Sequence, residues 1–108
     1  VDTVNNKLYF SKNGTWQNSG DPTSGATGTG AVSIADLGTH DSTNSGNYFL
    51  GFSDEDNNAG ATLSWNFGNG YFGTTVISSA GTSASTPGIF EYDVPTGYEP
   101  LSTKGLNA

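Results

Sequence analysis

The chain contains no cysteine, no methionine and no arginine. Without cysteine there is no disulfide, no thiolate nucleophile and no zinc–thiolate site. Without arginine the bidentate clamp that usually holds phosphate or carboxylate ligands is missing. Three lysines against ten acidic residues leave a net charge of −7. So few cations argue against nucleic acid, whose phosphates must be neutralised, and against anionic membrane surfaces. No apolar run approaches the roughly 20 residues of a membrane span, and no signal peptide is visible. A chain with no methionine is expected to be a processed piece of a longer translation product.

Apolar residues make up only 32% of the chain, so any core must be thin. At 108 residues the length suits one domain, residues 1–108. The aromatics Phe10, Tyr48, Phe49, Phe52, Trp65, Phe67, Phe90 and Tyr92 are the expected core. Sixteen glycines with abundant Ser, Thr and Asn suit many turns between short strands and suit helices poorly.

The spacing predicts strands throughout. LYFSK (8–12) alternates and ends at Asn13-Gly14, the strongest short hairpin signal. TWQNSGDPTSGATGTG (15–30) has loop composition and is long enough to be functional or mobile. AVSIADL (31–37) is a short alternation. NYFLGFS (47–53) is a nearly continuous apolar run, as in a strand buried on both faces. ATLSWNFG (61–68) puts Leu63, Trp65 and Phe67 on one face. TTVIS (74–78) and IFEYDV (89–94) complete the set. The pattern indicates an all-β, antiparallel β-sandwich.

Several residues invite chemistry. In DEDNNAG (54–60), Asp54, Asp56 and Asn58 alternate as in the first part of an EF-hand calcium loop. The match then fails: Ala59 stands where the loop glycine belongs, and Trp65 where a bidentate glutamate is needed. Calcium in another geometry is the only metal reading, set against a solvated turn. For hydrolysis, Glu55, Glu91 and Glu99 are candidate carboxylates, but nothing in the spacing pairs any two across a sugar ring. His40 lies in a loop beside Asp41, with no nucleophile elbow to serve. No enzyme activity is expected. Asn13-Gly14-Thr15 matches an N-glycosylation acceptor, although Asn-Gly equally marks a type I′ turn. Trp16, Tyr71, Phe72 and Tyr98 fall in or beside loops. There an aromatic ring stacks on sugars, anchors a partner or caps a thin core; Phe72 and Tyr98 are expected to cap the core.

Four segments, in order, resemble the SPRY-domain family. Asp2 followed by KLYFSKNG (7–14) is similar to the segment in which a strand ends at Asp and a second strand carries Phe and a Lys-Asn-Gly turn. YFLGFS (48–53) resembles the family's buried "YFPAVS" strand. LSWNFG (63–68) resembles its "VNFG" strand, with Asn66-Phe67-Gly68 identical. Tyr92 and then PTGYEPLST (95–103) resemble the closing "Y…PTGFKALNT" element. The loops at 15–47 and 69–88 lie outside the resemblance. It implies a concanavalin-like sandwich of two antiparallel sheets that binds through loops without catalysis, as in bacteriophage and other viral structural proteins. The loop after Gly14 is longer than the family's, and the family's first half has no counterpart here. The chain is therefore expected to be the C-terminal part of an incomplete sandwich, its missing strands supplied by N-terminal sequence or by a neighbouring virion protein.

The expected role is a capsid, tail or fibre module acting in decoration or adhesion. Trp16, the polar turn Asp54, Glu55, Asp56, Asn57 and Asn58, and Tyr71 are its expected contacts to a protein or a host-surface glycan. The alternative is a carbohydrate-binding module or lectin of a secreted or cell-surface protein, hence extracellular rather than in the virion.

Overall fold

The Asn13-Gly14 turn forms as its residues require. Asn13 (φ 51°) and Gly14 (φ 74°) both take positive φ, the signature of a type I′ hairpin. They join β2 (Ser11–Lys12) to β3 (Thr15–Trp16), with Lys12 opposite Thr15 and Ser11 opposite Trp16. Gln17 N–H donates to Phe10 C=O at 2.9 Å and extends the ribbon by one bond. A Cβ at Gly14 would lie 2.7 Å from the Tyr92 ring, so the turn packs where only glycine fits.

The computed structural model describes residues 1–39, 41–43, 46–53, 60–81 and 88–99. These residues are β-rich and contain no α-helix; the helical turns are two 3-10 segments, Gln17–Ser19 and Gly25–Thr27. The strands form three antiparallel two-stranded ribbons. β1 (Lys7–Leu8) pairs with β4 (Val32–Ser33), β2 with β3, and β5 (Tyr71–Phe72) with β6 (Thr75–Val76).

The run 8–12 is therefore not one strand. Its first part pairs with residues 32–33 and its last with residues 15–16, so the chain changes partner at Tyr9-Phe10. The run 31–37 is likewise shorter than its alternation suggests, ending with Ile34 N–H donating to Asn6 C=O at 3.0 Å. The 15–30 stretch, expected to be a loop, forms no strand beyond β3 and is densely tied. The Asp21 carboxylate accepts from Thr23 N–H at 2.8 Å and Thr23 Oγ1 at 2.7 Å. Ser24 Oγ donates to Asp21 C=O and accepts from Thr29 N–H, and Asp21 N–H donates to Thr29 C=O. Short polar side chains replace a strand partner by bonding the nearby backbone.

In the second half the organising residue is Asn66. Its Oδ1 accepts from Gly68 N–H at 2.8 Å and Gly70 N–H at 3.3 Å, and its Nδ2 donates to Ile89 C=O at 2.9 Å. Ile89 N–H donates to Gly68 C=O and Ile77 N–H to Gly70 C=O. Asn69 and Ile89 form an isolated parallel bridge, so 89–94 is not a strand. β5 and β6 meet at Gly73-Thr74. Only Gly73 has positive φ, as in a type II′ turn.

The expected aromatic core does not form. Ile77, 9% exposed, is the one large apolar side chain buried in the described residues. The run 47–53, expected as a strand buried on both faces, forms no strand, and Phe49 is 91% exposed. Phe10, Phe52, Tyr92 and Phe72 are also exposed. Two-residue ribbons present no face wide enough to cover a ring. The run 61–68 is not a strand either, yet Trp65 and Phe67 stay on one side, stacked at 6.0 Å and 13°.

Two variants test this framework. Gly30 has φ +66°, and a Cβ there would lie 2.5 Å from Asn18 C=O and from Gly20 Cα. Gly30→Ala should therefore cost at least about 2 kcal/mol and remove hydrogen-exchange protection at the Asp21 and Ala31 amides. Asn66→Leu strands two amides and one carbonyl and should cost about 2 kcal/mol, with Asn66→Asp losing roughly half of that. Denaturant unfolding followed by Trp65 fluorescence reads both.

Candidate binding cleft

The first five residues form a tight turn around Asp2. Its Oδ1 accepts from Val4 N–H and Asn5 N–H, both at 3.0 Å, and its Oδ2 from Asn5 Nδ2 at 2.8 Å. Asp2 and Lys7 exchange both backbone bonds, at 2.7 and 2.9 Å. These donors, the Asn5 side chain first, hold the Asp2 carboxyl below the usual carboxylate range because each favours the ionised form. The sign follows: this turn is stabilised above the ordinary carboxylate value, and the stabilisation is lost as pH falls through the lowered one.

Tyr98 approaches the turn from the far end of the chain. Its hydroxyl donates to Pro22 C=O at 3.0 Å, across 76 residues of sequence. Burial first, then the charges of Asp2, Tyr9 and Asp21, push its phenol above the ordinary 10.0. Tyr48 donates its hydroxyl to Ala35 C=O. Residues 1–5, Tyr48 and residues 97–99 together enclose a cleft of about 840 Å³, within the range of small-ligand sites. Asp2 and Glu99 bring carboxylates to it, Asn5 a carboxamide, and Tyr48 and Tyr98 aromatic rings.

The two expected contact residues that are described, Trp16 and Tyr71, lie elsewhere. Trp16 is half-buried and meets Tyr9 edge-to-face, with centroids 6.5 Å apart at 76°. Its indole thus folds back onto the Tyr9 corner between β1 and β2. Tyr71 is exposed on the separate β5–β6 ribbon, its N–H donating to Asn69 Oδ1 at 3.1 Å. Asp54, Glu55, Asp56, Asn57 and Asn58, with the calcium reading that rests on them, lie outside the described residues, as does His40. Among the described residues no three His, Cys, Asp or Glu side chains gather in a way that could hold a metal ion. Glu91 accepts from Ser78 Oγ and does not line the cleft.

Sequence reasoning missed the cleft because its parts are some 50 residues apart along the chain. Asp2 was the one readable signal, an aspartate two and three residues before amides it can cap.

No family model, curated protein or solved structure matches this chain.

The Tyr98 environment predicts an alkaline signature. A phenol whose folded-state value is raised supports folding below its unfolded value and loses that support as pH rises through the folded one. Tyrosinate absorbance should therefore show one ring ionising above 10.0. Tyr98→Phe should abolish that component, and Asp2→Asn should bring it part of the way back.

Proposed function

We propose that this chain is a non-enzymatic β-rich module of a viral structural protein, a SPRY-like sandwich whose sheets are completed by strands from a neighbouring protein of the particle. The observation that carries this reading is where the apolar side chains point. Among the described residues sixteen large apolar side chains are exposed, Phe10, Phe49, Phe52, Trp65 and Phe67 among them, and Ile77 is the one that is buried. The chain exposes 8201 Å², whereas a compact monomer of its mass exposes about 5,700 Å². Its radius of gyration is 15.8 Å, against about 13 Å for a compact domain of this length. The three ribbons also leave unpaired backbone edges, which native proteins cover or pair.

The order of the SPRY-like segments supports the family part of the proposal. KLYFSKNG and LSWNFG are built around the Asn13-Gly14 hairpin and the Asn66 hub, and PTGYEPLST opens on a turn in which Tyr98 N–H donates to Pro95 C=O. Docking by apolar faces and sheet edges suits a capsid, tail or fibre component, whose function is assembly or adhesion and needs no catalytic group. The proposed location is accordingly the virion.

The test uses native material. Particles are sedimented, and the polypeptide carrying KLYFSKNGTW is followed by intact mass and stoichiometry. Co-sedimentation at a fixed copy number is the expected result. A soluble species with no particle, and with its apolar surface silent to a hydrophobic dye, would overturn the assembly reading and favour the lectin-like alternative.

A further inference from the structure

The cleft at the Asp2 turn has a chemistry that assembly does not use. Two tyrosine rings line it, Tyr48 and Tyr98. Both hydroxyls already donate to backbone carbonyls, those of Ala35 and Pro22. Each ring is thereby anchored, and what remains for a ligand is its π-surface rather than its hydroxyl proton. The carboxylates are unequal. Asp2 is bonded within its own turn, but it retains further lone pairs. Glu99, on the opposite segment, makes no hydrogen bond among the described residues. No lysine side chain lines the cleft, and the chain has no arginine.

This composition sorts ligands by charge. A phosphate, sulfate or carboxylate meets two negative side chains, and no cationic side chain lines the cleft to offset them. A neutral polyol gains ring contact but must displace well-bound water from a carboxylate. A cation gains from both groups, because aromatic rings attract positive charge at their faces and carboxylates attract it directly. A net charge of −7 also concentrates cations near the surface. The metal alternative is weak, since hard cations need six or more oxygen ligands.

We propose that the cleft binds an organic ammonium group, held against the Tyr48 and Tyr98 rings with Glu99 and Asp2 as counter-charges. The raised phenol of Tyr98 agrees with this: after burial, nearby negative charge, that of Asp2 first, is what opposes its ionisation, so a negative potential reaches the ring. The ammonium is either that of a small quaternary amine or the side chain of a lysine presented by another protein. The proposal does not depend on the assembly reading, because a chain that never enters a particle would still carry this cleft.

The experiment titrates the whole chain, with Val1 acetylated so that its own amine does not compete. Choline chloride is one arm and Nα-acetyl-lysine amide the other; methyl glucoside and inorganic phosphate are the controls. Ring resonances of Tyr48 and Tyr98 are the readout. Saturable shifts with an ammonium, weakened by added NaCl, are expected, together with about tenfold weaker binding in Glu99→Gln. Choline alone points to a small quaternary amine, and a comparable response to the lysine amide points to a protein side chain. Tyr98→Phe, which keeps the ring, should retain binding, while Tyr48→Leu should lose it with an unchanged amide spectrum elsewhere. The proposal is overturned by no saturable shift with either ammonium, or by methyl glucoside binding that ignores salt and survives Glu99→Gln.

Discussion

The carboxamide of Asn66 satisfies two amides and one carbonyl at once, and the second half of the chain is arranged around it. Gly68 and Gly70 take positive φ so that both N–H groups converge on Oδ1. Their own carbonyls then receive the amides of Ile89 and Ile77. Ile77, the one large apolar side chain buried among the described residues, belongs to this knot. An N–H or C=O with no partner is costly wherever water is excluded. In a chain whose strands are two residues long, side chains take over part of the pairing that a sheet ladder would supply.

The same device recurs in the first half, with carboxylates in place of the carboxamide. Asp2 holds Val4 and Asn5, Asp21 holds Thr23, and Asp41 accepts from Thr43 N–H at 2.7 Å and Thr43 Oγ1 at 2.8 Å. Asp21-Pro22-Thr23 and Asp41-Ser42-Thr43 are therefore one local solution used twice. Such turns are self-sufficient in hydrogen bonds but bury little apolar surface. The consequence is a backbone well tied locally and an apolar complement left outward. Hydrogen bonding thus organises the described residues, and the burial of apolar area that drives most folding contributes little among them. The cleft at the Asp2 turn belongs to the same architecture. It exists because the Asp2 turn and the Tyr98–Pro22 bond bring the two ends of the described chain together.

Much of the local structure was legible. Asn13-Gly14 announced a type I′ hairpin, and the glycine-rich, asparagine-rich composition announced turns and no α-helix. The alternation of Trp65 and Phe67 survives as a stacked pair even though no strand forms there. The apolar run 47–53 was misleading. An unbroken apolar stretch reads as a buried strand only if something covers it, and the described residues supply no cover for Phe49. The 15–30 stretch reads as a loop from its composition and forms no strand beyond residues 15–16, while Asp21, Ser24 and Gly30 make it one of the most closely bonded parts of the chain. Of the expected contact residues, Trp16 turned inward onto Tyr9 and Tyr71 stayed outward, a difference set by neighbours that no local window contains.

The sequence by itself determined the charge, the absence of thiols and arginine, the turn positions and the β-rich character. Each of these follows from residue type or from spacing within a few residues, where backbone sterics and short polar side chains dominate. Only the tertiary structure decided which strand segment pairs with which, that most of the expected core aromatics remain uncovered, and that Asp2, Tyr48, Tyr98 and Glu99 share one cleft. Those outcomes depend on contacts between residues tens of positions apart. The free energy of such contacts comes from packing and from the closing of large loops, and neither leaves a local periodicity to read.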